Sequence, residues 1–470
     1  MYLLKRVAAI ILLVAMVLSA AGCNSTTTNT GDNGDTTTPN ATQPASTGDK
    51  TQESQEGKVL RIYCWNDEFK SRFTDYFEKK GKLPSDVKVE WVITPNQNNA
   101  YQNKLDEDLL NQDKAAEKID IFLIEADYAL KYVDTDYTLD VINEVGLTKE
   151  ELANQYKYTQ EIATDSQGRL KAVSWQATPG LFAYRRSIAK EVLGTDDPVE
   201  VQKQLSDWDK FDAVAAKMYE KGYKMLSGYD DAFRVFSNNV SHPWVDENNK
   251  IVIDPNLMRW VDQTKLYTEK GYNNKTSLWS AEWSADQGPN GKVFGFFYST
   301  WGINFTLLGN SLAVPESEGG KKEVGNGIFG DWAVCEGPQS YYWGGTWICA
   351  ARGTDNISLV REVMRTLTCD AETMKQITID TEDYTNNIKA MNEIANSDYG
   401  SAFLGGQNHI ALFASAAPKI DMSNISKYDQ GMNEEFQAAF KDYFDGNVTK
   451  EQALENFYTA VLEKYPNLSR

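Results

Sequence analysis

Four of the twelve tryptophans stand where an indole is seldom needed for packing. Trp65 precedes Asn66-Asp67, Trp175 precedes Gln176, Trp301 follows Ser299-Thr300, and Trp347 follows Gly344-Gly345-Thr346. A core Trp usually lies inside an apolar run, whereas these four sit beside amides, hydroxyls, carboxylates or glycine. A flat apolar ring next to donors and acceptors suits a sugar: its C–H face stacks on the indole while its hydroxyls take hydrogen bonds. A hydroxyl left unmatched on burial is costly, which would make such a site selective. Taken singly, each Trp has packing against a neighbouring element as its alternative.

Catalytic motifs are weaker. Gly325, Gly327 and Gly330 satisfy G-x-G-x-x-G, but Asp331-Trp332-Ala333-Val334 reads as a strand where a dinucleotide site needs a helix, so a turn is expected. Ser187 to Lys190 fits S-x-x-K without an accompanying K-T-G. Asp134, Asp136 and Asp140 suggest a calcium loop, yet Leu139 and Val145 occupy the positions that need Gly and Glu. Glu125 with Asp127, or Asp230 with Asp231, could serve glycoside hydrolysis, and sequence spacing does not fix the separation that reaction requires. With only His242 and His409 in the chain, zinc is not expected, nor is any other cofactor. Cys64, Cys335, Cys349 and Cys369 form no C-x-x-C pair, and buried free thiols are expected.

The elements that would hold these residues alternate between short apolar strands and amphipathic helices, the pattern of a parallel sheet covered on both faces. Leu60–Trp65, Val87–Ile93 and Ile119–Ile124 read as strands. Between them lie helices carrying Phe69, Phe73, Tyr76 and Phe77, then Tyr101, Leu105, Leu109 and Leu110. Ser206 or Asp207, and Asp254-Pro255, start two helices that both end in Glu-Lys-Gly-Tyr, with Gly222 and Gly271 as left-handed caps. Thr449 caps the last helix, and Pro466 follows it.

With 47 basic and 67 acidic side chains the net charge is -20, which repels a phosphate backbone, so nucleic acid is not an expected partner. Membrane contact is expected from the N-terminus instead. Lys5-Arg6, the apolar run Val7–Ala21 and Ala20-Ala21-Gly22-Cys23 form an export signal, residues 1–22. Small residues before Cys resemble the lipobox of bacterial lipoproteins, which implies lipidation of Cys23, although Ala20 stands where that motif usually has Leu. Residues 24–57 hold no aromatic residue and no aliphatic one larger than Ala and read as a disordered tether reaching roughly 30 Å.

Lipobox, Thr-rich tether, Leu60-Arg61-Ile62-Tyr63-Cys64-Trp65-Asn66 and Asp120-Ile121-Phe122 leading to Glu125-Ala126-Asp127 together resemble the family 1 extracellular solute-binding proteins of ABC sugar importers. Tyr298-Ser299-Thr300-Trp301-Gly302 and Gly344-Gly345-Thr346-Trp347 continue the likeness. The resemblance implies an α/β, two-lobed periplasmic-binding-protein-like (type II) fold with a ligand cleft between the lobes. The lobes divide as 58–174 with 331–368 and 175–330 with 369–470. The ligand residues it implies are Trp65, Asn66, Asp67, Glu125, Asp127, Trp175, Gln176, Tyr229, Asp230, Trp301, Gly344, Gly345, Trp347 and Asn408. The implied protein is a monomeric, lipid-anchored receptor on the outer face of the cytoplasmic membrane. It would capture an oligosaccharide or glycoside and deliver it to ABC permease subunits. The alternatives are a lipid-anchored glycoside-acting enzyme, or the same scaffold binding a polyamine or other cation.

Overall fold

The computed structural model describes residues 57–470. The export segment, Cys23 and the tether, apart from Gly57, lie outside the described residues. Two sheets organise the chain. In the first, strands β1 (Val59–Cys64), β2 (Lys88–Ile93) and β3 (Ile121–Glu125) run parallel, with helices α1 (Glu68–Phe73) and α2 (Ala100–Leu110) in the crossovers. Strand β3 is buried almost throughout, as its unbroken apolar run predicts. Of the side chains expected inward on α2, Tyr101, Leu105 and Leu109 are buried, but Leu110 is 70% exposed. The helix stops there, so Leu110 has no next turn to pack beneath.

The second sheet has β5 (Gly180–Arg185) at its centre, antiparallel to β6 (Gly295–Ser299) and β7 (Trp332–Cys335). Strand β8 (Thr346–Ala350) then returns to the first sheet between β3 and β4 (Ala172–Ser174), giving the order β2-β1-β3-β8-β4. The division expected at residue 331 therefore falls too early, because β7 pairs with β5. The exchange of sheets occurs between Cys335 and Thr346. Likewise, helix α7 (Ala371–Thr381) lies against the first sheet's helices, with the Tyr76 hydroxyl donating to Asp380 at 2.8 Å.

Helices α4 (Trp208–Glu220) and α6 (Pro255–Lys270) start on Asp207 and Asp254 and end as their sequences require. Gly222 and Gly271 take φ of +83° and +71°, and the following tyrosine N–H groups fold back onto Met218 and Tyr267. Trp332 onward is a strand after a glycine turn, in agreement with the turn reading of the Gly325–Gly330 motif. Cys64, Cys335 and Cys349 are buried free thiols, and Cys369 is a half-buried one. Among the described residues no helix is long and apolar enough to cross a membrane.

Three chain passages connect the two sheets side by side. Residues 175–179 join β4 to β5 and 336–345 join β7 to β8. Residues 382–387 lead from α7 toward α8 (His409–Ala416), which packs by β5. The first passage is hydrogen-bonded to both others. Ala177 N–H donates to Tyr384 and Asn386 N–H to Trp175, while Gly180 N–H donates to Tyr341 and Trp343 N–H to Thr178. Thr178 holds φ of +44°, an uncommon conformation for a β-branched residue.

Candidate ligand cleft

The cleft is built where the strands of the first sheet end and face the second. At the end of β1, Trp65 is half-buried. Its ring meets Tyr101 and Tyr128 edge-on at 5.5 and 6.5 Å. Asn66 and Asp67 are exposed at the start of α1, where the Asn66 amide oxygen accepts from Glu68 N–H at 3.0 Å and the Asp67 side chain makes no capping bond. At the end of β3, Glu125 accepts from the Asp127 N–H at 2.9 Å. Burial first, and the charge of Asp127 second, hold the Glu125 carboxyl well above the usual carboxylate range, with Arg234 opposing. Asp127 is gripped by Arg234 of α5 (Phe233–Ser237), from the other side of the cleft. Around this pair is a small recess of about 40 Å³, lined also by Tyr342 and Asp429.

Gln176, in the first passage between sheets, is buried and donates from one amide nitrogen to Glu68 (2.9 Å) and Asp383 (2.8 Å). Burial and the Asp383 charge raise the Glu68 pKa. Asp383 in turn accepts from the Thr300 hydroxyl at 2.8 Å, which fixes the residue before Trp301. Trp175 is fully buried, 5.3 Å from the Phe69 ring, and its indole N–H has no hydrogen-bond partner.

Trp301 belongs to an aromatic platform. Its N–H donates to the Trp343 carbonyl at 2.9 Å, its ring meets Trp343 edge-on at 5.4 Å, and it lies within 23° of parallel to Trp279 at 6.2 Å. Gly344 permits this approach: a Cβ there would lie 3.0 Å from the Trp301 indole nitrogen, at a φ of +73°. Gly345, at φ +104°, packs on Thr178 and Trp347. Trp279 is 52% exposed and has φ of +67°, a genuine outlier for a bulky side chain. Asp230 lies beside it, accepting from Leu278 N–H at 3.4 Å. Tyr342 links platform and recess: it precedes Trp343, its N–H donates to Asn238 at 2.7 Å, and burial raises its hydroxyl pKa, with Asp127 adding to the rise and Arg234 opposing it.

Besides Trp175, buried on Phe69, and Asn66 and Asp67, exposed at the start of α1, three more of the expected residues are placed away from the cleft. Tyr229 is buried flat against Phe444 at 5.8 Å, its hydroxyl spent on Asp445 at 2.8 Å. Trp347 points into the interior from β8, with its N–H on the Thr159 carbonyl at 2.9 Å, because β8 is central and buried throughout. Asn408 caps α8, accepting from Ala411 N–H. These are packing and capping residues.

Glu68, Arg234, Trp279, Trp343 and Asp383 were not anticipated as cleft residues. Trp279 carries the same signal as Trp301, an indole among Ser, Ala and a neighbouring Leu. Arg234 and Asp383 carry no local signal at all. Among the described residues no group of His, Cys, Asp and Glu is placed to hold a metal ion.

Residues 72–401 match the family described as bacterial extracellular solute-binding protein. Among solved structures, an extracellular solute-binding protein of family 1 is 17% identical, covers 86% of this chain and 100% of its own, and superposes with a TM-score of 0.71. The ABC-transporter-associated binding protein of B. animalis subsp. lactis Bl-04, solved with β-1,6-galactobiose, is 16% identical over 87% of this chain and 98% of its own, with a TM-score of 0.64. The galacto-N-biose/lacto-N-biose I-binding protein of Bifidobacterium longum, solved with lacto-N-biose, is 14% identical over 88% and 100%, with a TM-score of 0.65. No curated protein matches. The fold is the two-lobed α/β arrangement of periplasmic binding proteins, and the chain belongs to the bacterial extracellular solute-binding proteins.

Proposed function

We propose that the chain is a membrane-tethered receptor that captures an oligosaccharide or glycoside between its two lobes and hands it to the permease of an ABC transporter. The observation that carries the reading is the platform of Trp279, Trp301 and Trp343, with one indole half-exposed in a strained backbone. Two relatives of the same fold were solved with disaccharides, which supports a sugar ligand. Stacking would be supplied by the second lobe and hydroxyl contacts by Trp65, Glu125, Asp127 and the Gln176 cluster. Ligand favours closure only by as much as it binds the closed form more tightly. A cation is the poorer fit, because Arg234 already neutralises Asp127. No bond is made or broken in this reading. Cys23 would carry the lipid that keeps the receptor at the outer face of the membrane.

Thermal-shift measurement over a glycan panel tests it. A bound sugar raises the unfolding midpoint and is recovered unchanged. Turnover of the sugar would instead assign an enzyme, and absence of any shift would remove the saccharide reading.

A further inference from the structure

The recess between the lobes holds more acid than base. Asp127 faces it from the turn leaving β3, with Glu125 hydrogen-bonded to the same turn. Asp429 faces it from the first turn of α9 (Asp429–Phe444), a helix that touches the Asp127 turn from the other side of the cleft. Against these three carboxyls stands Arg234, which gives both terminal nitrogens to Asp127. Among the described residues Asp429 accepts only from Ser426, from its N–H at 3.1 Å and its hydroxyl at 2.6 Å, and both donors are neutral.

The other titratable groups around Asp429 do not neutralise it. Lys131 of α3 (Ala129–Val133) pairs with Asp106 at 2.6 Å. Lys427 is exposed and lies over the Tyr428 ring at 5.5 Å, and Asp421 is exposed and accepts from Ser423 N–H at 3.0 Å. In a second small space that Asp429 also lines, His242 stands 3.5 Å from Asp254. Ionised, Asp429 would therefore meet Asp127 as a like charge from the facing lobe, with no cation of its own. Hydration does not make up the difference, since about 40 Å³ admits about three water molecules. Burial and, after it, the charge of Asp127 lift the Asp429 carboxyl to about 7. Once the walls separate, Asp127 and Asp429 are both hydrated and ionise in the ordinary carboxylate range.

We propose that Asp429 makes closure of the lobes proton-dependent: its carboxyl takes up one proton as the walls meet across Asp127 and releases it as they part. The inference rests on the hinge closure proposed above and adds its regulation. The closed form holds the extra proton, so acid favours closure. That preference is complete below the ordinary 3.8 and is lost as pH rises to about 7, where the closed form gives up its proton too. Capture by closure therefore tightens in acid surroundings and loosens in neutral ones.

Small-angle scattering of the full chain without ligand, at constant ionic strength from about pH 5 to about pH 9, tests the proposal. The closed-to-open ratio should fall by up to about ten-fold per pH unit as far as about pH 7 and then level, read as a rising radius of gyration. Asp429→Asn keeps an acceptor for Ser426 and does not ionise, so it should hold the smaller radius throughout. Circular dichroism at each pH separates opening from unfolding. A wild-type radius that does not change with pH, or a rise that Asp429→Asn keeps in full, would overturn proton-dependent closure. No sugar enters the measurement, so either result leaves the saccharide reading standing, and failure of every glycan to bind leaves proton-dependent closure standing.

Discussion

Arg234 and Asp127 close the cleft by a two-pronged ion pair, each guanidinium nitrogen on its own carboxylate oxygen. Arg234 stands on α5, beside the second sheet, and Asp127 on the turn leaving β3 of the first. Planar, bidentate pairing is the strongest geometry available to these groups. Both side chains keep about a quarter of their surface exposed (24% and 25%), so water screens the pair in part.

A double-mutant cycle with Arg234→Met and Asp127→Asn should therefore show a coupling of about 1–3 kcal/mol in stability. Arg234→Met alone should also enlarge the radius of gyration of the ligand-free protein, because an unpaired Asp127 favours hydration over closure. Additive single effects with an unchanged scattering profile would show that the pair does not hold the lobes together.

Trp279 offers a way to separate binding from packing. Both Trp279→Ala and Trp279→Gly remove the half-exposed indole and should weaken sugar binding by about 1–3 kcal/mol. At φ of +67° the glycine variant should be the more stable of the two by about 1 kcal/mol, the reverse of the order in a helix. Calorimetry and thermal unfolding on the same samples check both halves. Undiminished affinity in the two variants would remove Trp279 from the site.

Acid stability has a defined sign. Burial lifts the Asp429 carboxyl from its ordinary 3.8 to about 7 against hydrogen bonds from Ser426, with Asp127 adding to the rise. Burial likewise lifts Asp231 to about 6 against N–H donors from Gly228, Trp283 and Ser227. In both, the folded chain keeps its proton where the unfolded chain has lost it, so stability falls as pH rises from about 4 to about 7. Glu362 acts oppositely at lower pH. Held at about 2 chiefly by its hydrogen bond from Arg365, it contributes stability above its ordinary 4.5 that is lost on acidification. The unfolding midpoint should thus peak near pH 4–5. Asp429→Asn should flatten the decline toward pH 7; an unaltered slope would show that Asp429 does not set it.

The passage between sheets is sterically tight. A Cβ on Gly180 would stand 2.1 Å from the Tyr341 ring, whose hydroxyl is fixed on the Leu181 carbonyl at 2.9 Å. Gly180→Ala should cost about 1–3 kcal/mol, measured by denaturant unfolding, since neither ring nor backbone can withdraw. A neutral substitution would mean that the crossing yields more than its hydrogen bonds suggest.

Local rules made the first sheet readable. The runs of β1 and β3, and the caps at Asp207, Asp254, Gly222, Gly271 and Thr449, depend on neighbours within a few residues. Where the chain changes sheet depends on pairing between distant strands, which is why Trp332–Cys335 was expected beside β8 and lies beside β5. The candidate site divides in the same way. Trp301 and Trp65 were visible as indoles among polar residues, and Trp279 carried a comparable signal. Trp347 also follows small and hydroxyl residues in sequence but faces inward, because side-chain direction follows strand register and local composition does not set it. Arg234 acquires its role only by meeting Asp127, 107 positions away, and no spacing rule reaches that far.

Because the three connections lie abreast and are stitched to one another by backbone hydrogen bonds, they form a ribbon that bends easily across its width and resists skewing. In the proposed closure, opening would then be a single-axis motion, like a book on its spine, bringing the two binding surfaces together in one registration. A protease nick in one connection would leave the halves joined by the other two, and the nicked chain should still comigrate as one particle.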